Sequence, residues 1–106
     1  MNDGASANPV RGEAAIVAAG ETLLLRPSFA ALVAAEEELG PLFALVERAA
    51  EGQLRLAEIV TLFWHCLADR PEALTRERFG EAVAGQGFAA AMPALKTLLA
   101  QILQGR

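Results

Sequence analysis

The strongest helical periodicity in the chain lies in LRLAEIVTLFWHCLA, residues 54–68. Its apolar side chains recur at intervals of three and four residues, which places them on one face of a helix. That face comprises Leu56, Ile59, Val60, Phe63 and Leu67, with Trp64 and His65 at its flanks. We therefore expect a helix over residues 54–68 at the centre of the core.

Two helices are predicted before this segment. Ser28 is a good N-cap for a helix over residues 29–39, and Gly40 is a typical C-terminal stop. Pro41 suits the first turn of a second helix over residues 41–50. The residues expected to face inward are Phe29, Leu32, Val33 and Leu39 in the first helix and Leu42, Leu45 and Val46 in the second.

Two helices are also predicted after the central segment. Thr75 offers an N-cap for a short helix that carries Phe79, Ala82 and Val83 and reaches Gly85. A last helix over residues 88–103 has its apolar side at Leu95, Leu98, Leu99, Ile102 and Leu103. Pro93 lies inside this pattern, so residues 88–92 are either part of the helix or a separate turn before it.

The first ordered element is predicted to be a β-hairpin over residues 13–26. Two short strands, residues 13–17 and 22–26, flank a turn in which Gly20 supplies a positive φ. A two-residue loop at 19–20 places Glu13 opposite Arg26 as a cross-strand ion pair. The side chains that then face the core are Ala14, Ile16, Leu23 and Leu25, with Ile16 opposite Leu23.

These elements predict an α+β fold that is predominantly helical, with one N-terminal hairpin packed on four to five short helices. A chain of 106 residues is the size of one small domain. We expect residues 1–12 to form a flexible arm and residues 13–106 to form the domain, with the hairpin at 13–26 and the helical part at 28–106.

Composition and charge disfavour several function classes. No apolar run approaches the roughly 18 residues of a membrane-spanning helix, and no signal peptide is visible, so we expect a cytoplasmic protein. The net charge of −4 disfavours nucleic-acid binding, because that binding relies on Lys and Arg at phosphates. The single cysteine, Cys66, allows neither an internal disulfide nor a multi-cysteine metal site. No cofactor is expected.

The titratable residues form no convincing catalytic group. His65 and Cys66 are adjacent, but neighbouring helical side chains point about 100° apart, which argues against a nucleophile with its base. The carboxylates of residues 36–38 fan out around a helix and make a poor metal cage, although Glu36 or Glu37 could pair with a basic partner surface. Salt bridges are expected between the basic cluster Arg70, Arg76 and Arg78 and the acidic residues Glu72, Glu77 and Glu81.

The apolar content, 54% of residues, is high for so short a chain. Either the helical stripes bury one another in an alanine-rich core, or part of the apolar surface stays exposed and binds a partner. The first and last helices are the most suitable contributors to such a surface. The candidate partner-binding residues are Phe29, Leu32, Glu36, Leu95, Leu98, Leu99 and Ile102.

A series of short motifs occurs in a characteristic order along the chain. The motifs are NPVRGE at 8–13, GE at 20–21, LRPSF at 25–29, ELG at 38–40, LFW at 62–64 and GF at 87–88. In this order, from about residue 8 to residue 104, the sequence resembles the gene transfer agent tail protein family, also described as a phage tail assembly chaperone or tail tube family. The resemblance implies a non-enzymatic role in building a phage-type tail, with the tape measure and tail tube proteins as partners.

Two roles within such a family differ in their physical demands. A tube subunit closes and stacks rings, which normally requires a substantial sheet surface, whereas this sequence predicts one small hairpin. A small acidic helical protein suits transient shielding of an apolar helical client. We therefore expect a tail assembly chaperone in the bacterial cytoplasm. The alternatives are a structural tube or connector subunit of the particle and a small helical adaptor unrelated to phage. A homo-oligomer is a further possible assembly of the chain.

Overall fold

The computed structural model describes residues 13–104, and the arm predicted over residues 1–12 lies outside this range. A two-stranded antiparallel sheet is followed by five helices, as the predicted fold class requires. The elements are β1 Ala14–Ala18, β2 Glu21–Leu25, α1 Phe29–Leu39, α2 Leu42–Ala50, α3 Leu56–Cys66, α4 Arg76–Gln86 and α5 Phe88–Gln104. The buried apolar side chains of the sheet and of all five helices form one cluster.

The hairpin has the predicted register. Its two loop residues, Ala19 and Gly20, have φ values of 56° and 77°, as a tight turn between twisted strands requires. Ile16 pairs with Leu23, so the alternate side chains that face the helices are buried. Beyond the strands, the Arg26 Nε donates a hydrogen bond to the Glu13 carboxylate at 2.8 Å.

Ala19 is the residue of this turn with the least favourable backbone conformation. Its positive φ brings the alanine Cβ close to backbone atoms, whereas asparagine tolerates this region more readily and is preferred before glycine in such turns. We expect Ala19→Asn to raise the free energy of unfolding by about 0.5–1 kcal/mol. Urea unfolding of the variant and the wild-type protein measures the gain, and an unchanged or lower midpoint would contradict it.

The outer edge of β2 is covered by the residues that leave α3. The Arg26 amide donates to the Cys66 carbonyl at 2.7 Å, and the Ala68 amide donates to the Leu24 carbonyl at 2.9 Å. Leu67 thereby forms a bridge with Leu25. This pairing explains why α3 ends at Cys66 and not at the predicted residue 68, because an extended Leu67 cannot continue the helix.

The bounds of α1 are as predicted, and its inward face is confirmed at Leu32 and Leu39 but wrong at Phe29 and Val33. Ser28 Oγ accepts a hydrogen bond from the Ala31 amide at 3.1 Å, and Gly40 has a positive φ at the other end. Phe29 and Val33, predicted to be buried, are 84% and 37% exposed. Ala35, which the prediction did not include, is fully buried and lies on one stripe with Leu32 and Leu39, because residues 32, 35 and 39 share the helical period.

The predicted core face of α3 is confirmed at Ile59, Val60, Phe63 and Leu67, but the observed face is wider on one side and excludes Leu56. Leu56 is exposed, whereas Trp64, predicted at the flank of the stripe, is buried. Leu62, Phe63 and Cys66 are almost completely buried. The apolar residues of α3 surround more than half of the helix, so their periodicity alone does not determine which side faces inward.

The last two helices are longer than expected. Thr75 Oγ1 caps α4 as predicted, accepting from the Arg78 amide at 3.1 Å, but the helix continues past Gly85 and stops at Gly87. α5 is a single helix from Phe88 to Gln104 and contains Pro93. Because Pro93 has no amide hydrogen, the Ala89 carbonyl lacks its helical hydrogen-bond donor. Both residues are exposed, so water can donate to that carbonyl instead.

Candidate partner-binding surface

The predicted surface residues on α1 differ in exposure. Phe29 and Val33 are one helical turn apart and both are exposed, so they form an apolar strip on the outside of α1. Leu32 is half-buried against the core. Glu36 is exposed, and its Oε2 accepts a hydrogen bond from the Leu42 amide at 3.0 Å, which supports the start of α2.

The predicted surface residues on α5 lie mostly inward. Leu95 and Leu98 are buried, and Leu99 and Ile102 are half-buried against the same core. α5 packs on β1, α2 and α4, whereas α1 packs mainly on α3 and also contacts α2. The two parts of the predicted surface therefore rest on different parts of the fold, and only the α1 part presents a large exposed apolar side chain.

Other exposed apolar side chains were not among the predicted surface residues. Phe43 on α2 is 65% exposed, and Leu56 and Leu103 are 58% exposed. Phe43 follows the inward Leu42 by one position, about 100° around the helix, so the periodicity of α2 already indicates that it points outward. Leu103 was predicted to lie on the apolar side of the last helix, and the structure places it at the exposed C-terminal end of α5.

A polar cluster joins α1, α3 and α4 near the C-terminal end of α1. Glu38 on α1 accepts two hydrogen bonds from Arg76, at 2.7 Å and 3.0 Å, and lies 3.0 Å from His65 Nε2. These partners, Arg76 first and then His65, lower the pKa of Glu38 to about 2. Arg76 was predicted to pair with Glu72, Glu77 or Glu81. The observed pairing is to a different helix, because the packing of α1 and α4 on α3 brings Glu38 within reach.

Trp64 lies beneath the basic residues of this region. The Arg70 guanidinium lies 3.9 Å from the centre of the indole ring and donates a hydrogen bond to the Trp64 carbonyl at 3.0 Å. On the core side, the Trp64 and Phe79 rings are 5.9 Å apart. Arg70 thus covers a buried aromatic ring and caps the C-terminal end of α3. Like Arg76, it is held by contacts within the fold.

A second ion pair joins α2 to α3. Both oxygens of Glu58 accept hydrogen bonds from the Arg48 guanidinium at 2.9 Å, and Oε1 also accepts from the Arg55 amide at 2.9 Å. The paired arginine and the backbone amide lower the pKa of Glu58 to about 2. The bidentate geometry fixes the relative orientation of the two helices.

These two carboxylates predict how the protein responds to acid. Both pKa values lie near 2, below the usual 4.5, so each carboxylate stabilises the fold above pH 4.5 and loses that contribution as the pH falls toward 2. We expect Glu58→Gln to melt at a lower temperature than wild type at pH 7 and to lose less stability between pH 5 and pH 2.5.

Circular dichroism melts across this pH range measure the effect. Glu47→Gln is the matched control, because Glu47 is an exposed carboxylate on α2 with no ion pair among the described residues. An acid-induced decrease in Tm that is as large in Glu58→Gln as in wild type would contradict the assignment.

The two residues considered for nucleophilic chemistry are engaged in the fold. Cys66 is buried, and burial raises the pKa of its thiol to about 12. A thiol with such a pKa is a poor nucleophile at neutral pH. His65 contacts Glu38 and is adjacent to Cys66 only in sequence. Within residues 13–104, no group of three or more His, Cys, Asp or Glu side chains could hold a metal ion.

Two shallow grooves lie on either side of the hairpin. One, of about 310 Å³, runs along β1 and is bordered by the α4–α5 junction, with Val83, Gln86, Gly87 and Ala90 among its lining residues. The other, of about 220 Å³, lies beside the hairpin turn and the segment after α3, and is lined by Glu21, Pro71, Leu74 and Arg78 among others. Neither groove includes the exposed residues of α1.

Comparison with known families identifies the chain. Residues 11–105 match the family described as phage tail tube protein, GTA-gp10. The chain belongs to this family. The match to this tail-tube family covers the hairpin and all five helices, so it extends over the whole described fold and not over one segment of it. The chain matches no curated protein and no solved structure significantly.

Family membership places the chain among the structural proteins of phage-type tails of the gene transfer agent kind. It supports an interaction with other tail proteins and a connection to the phage-like particle, and it removes the alternative of an adaptor unrelated to phage. Among the described residues of this tail-tube family chain, no helix is both long and apolar enough to span a bilayer.

Proposed function

We propose that the chain is a non-enzymatic tail assembly chaperone that acts in the bacterial cytoplasm, binding the tape measure protein, the tail tube protein or both while a tail is built. The observation that carries the proposal is the exposed apolar strip of Phe29 and Val33 on α1, in a chain that belongs to a phage tail family. A strip of this kind suits an apolar helical segment of a client.

The charge around the strip specifies the client further. Glu36 and Glu37 are exposed on the same helix, one turn beyond Val33. A client segment with an apolar side and flanking Lys or Arg residues complements this arrangement. Leu32, Leu99 and Ile102 are partly accessible. Leu95 and Leu98 would reach a client only if α5 moved, because both are buried.

The small sheet favours a chaperone over a tube subunit. In the described part of the chain the sheet has two strands of five residues, and one edge of it is covered by the segment after α3. A stacked ring usually requires more strand surface than this. The second candidate, a tube or connector subunit, is favoured by the family description itself, which names a tail tube protein.

Co-expression and particle analysis distinguish the two candidates. We expect the tagged chain to capture the tape measure or tail tube protein encoded by the same genome, and to be absent from purified particles by mass spectrometry. Phe29→Asp should abolish capture, whereas Phe43→Asp, the same exposed aromatic-to-acid change on α2, should retain it. Stoichiometric presence in finished tails together with no capture would contradict the chaperone and favour the structural subunit.

A further inference from the structure

Among the described residues, the outer edge of β1 is left without a hydrogen-bonding partner. In a hairpin with a two-residue loop, Ala18 and Glu21 close the loop with mutual hydrogen bonds, so alternate residues of each strand face away from the partner strand. By this alternation the amide and carbonyl groups of Ala15 and Val17 point outward. Within residues 13–104, none of these four groups takes part in a hydrogen bond.

The opposite edge of the sheet supports this assignment. The Leu24 carbonyl and the Arg26 amide face outward from β2 by the same alternation, and they pair with the Ala68 amide and the Cys66 carbonyl. Residues 14–18 of β1 carry no charge and no proline, so this strand has neither of two features that commonly prevent strand addition. The edge of β1 is therefore able to accept a further strand.

The groove of about 310 Å³ lies along this edge. Its walls are β1 and the α4–α5 junction, where Gly87, Ala90 and Ala91 have small side chains or none and so leave room beside the strand. Among the described residues that line the groove, none is ionisable and Gln86 alone has a polar side chain. A charged side chain placed here would lose water without gaining an ionic partner, so the groove favours uncharged side chains.

We propose that an extended segment of a tail protein adds to β1 as a third, antiparallel strand of the sheet. Two residues of that segment, one opposite Ala15 and one opposite Val17, satisfy all four unpaired groups, because a closely spaced antiparallel pair exchanges both of its hydrogen bonds. The residue between them lies opposite Ile16 and points to the same face of the sheet, toward the groove. The added strand thus has an uncharged residue at this middle position.

A second copy of the chain fits this edge less well than a single strand. Antiparallel pairing of β1 with β1 requires a twofold axis perpendicular to the sheet. That axis places both α4–α5 junctions on the same side of the joined sheet, in the space that the groove occupies. A lone extended segment brings no helices into this space.

In naming a tail protein as the donor of the strand, this inference rests on the proposed function. It adds a second mode of contact, since the groove does not include the exposed strip of Phe29 and Val33 on α1. A partner that engages both sites gains affinity from tethering, because its second contact is intramolecular.

Amide hydrogen exchange, measured by NMR on the isotopically labelled full-length chain, tests the proposal. In the free chain the Ala15 and Val17 amides should exchange rapidly. In complex with the unlabelled tape measure or tail tube protein of the same genome, each added separately, exchange at both amides should slow by about tenfold or more. The Ile16 amide faces β2 and reports on the hairpin itself, so it should change less.

A proline placed on each strand gives a matched pair of variants. Val17→Pro removes an outward amide of β1 and should weaken binding of the tail protein by about tenfold. Thr22→Pro is the control, because Thr22 lies directly opposite Val17, is also exposed, and its amide faces the other edge of the sheet. The two variants should have similar Tm values, so a difference in binding reports on the edge of β1 and not on the stability of the hairpin.

The outcomes separate failure of the added strand from failure of the proposed function. Binding with rapid exchange at Ala15 and Val17, or binding that Val17→Pro does not weaken, would overturn the added strand and leave the proposed function intact. Slow exchange at these amides in the free chain would also overturn it, because the edge would be paired without a tail protein. If the wild-type chain binds neither tail protein, the proposed function and this inference both fail.

Discussion

Phe63→Ala is expected to lower the free energy of unfolding by about 3–5 kcal/mol. Phe63 is fully buried on α3, the helix that contacts both α1 and α4. Removing its ring leaves a cavity at the centre of the cluster formed by all the described elements. A domain of this size has a total stability of about 5–15 kcal/mol, so the loss is a large fraction of it.

Urea unfolding followed by the fluorescence of the single tryptophan, Trp64, measures this effect. Phe29→Ala is the matched control, because the same side chain is removed from an exposed site and the cost should stay within about 0.5 kcal/mol. If Phe63→Ala fails to fold, the milder variant Phe63→Leu can be measured instead. It should lower the free energy of unfolding by less than about 1.5 kcal/mol. Equal midpoints for Phe63→Ala and Phe29→Ala would mean that α3 is not central to the core.

Leu98→Ala is expected to cost about 2–5 kcal/mol, the second-largest effect. Leu98 was selected from the sequence as a partner-binding residue, and the structure places it in the core with no exposed surface. Its truncation should therefore lower Tm before it affects any partner. Leu103→Ala on the same helix removes an exposed leucine and should leave Tm almost unchanged.

Thermal melts read by circular dichroism distinguish the two variants. A Leu98→Ala protein that melts like wild type and yet loses capture of a tail protein would contradict the core assignment and make Leu98 a direct contact. A partner assay on Leu98→Ala has meaning only beside such a melt, because partial unfolding by itself abolishes binding.

Local features of this fold could be predicted from the sequence because local chemistry determines them. The hairpin register follows from Gly20 in a two-residue loop, and it also places Glu13 beside Arg26. The bounds of α1 follow from the Ser28 cap and Gly40. In each case the deciding groups are within a few residues of one another, or are paired by a register that a short turn fixes.

The orientation of each helix could not be predicted in the same way. On α1, two apolar stripes share the helical period, and contact with α3 selects the one that contains Ala35 and leaves Phe29 outside. Arg76 has nearby acidic residues in sequence but pairs with Glu38, because only the tertiary packing brings those two together. The surface available to a partner depends on these orientations. Helical periodicity alone therefore could not predict that Phe29 is exposed and that Leu98 is buried.

The pairing of β2 with the residues after α3 has a consequence for the order of folding. The Leu24 carbonyl and the Arg26 amide form their hydrogen bonds with residues 66–68, which the ribosome makes after α1, α2 and nearly all of α3. An isolated two-stranded hairpin is marginally stable, so the nascent hairpin should not persist by itself. The sheet is thus completed late in synthesis, and a chain halted before residue 66 would leave the outer edge of β2 open to any neighbouring strand.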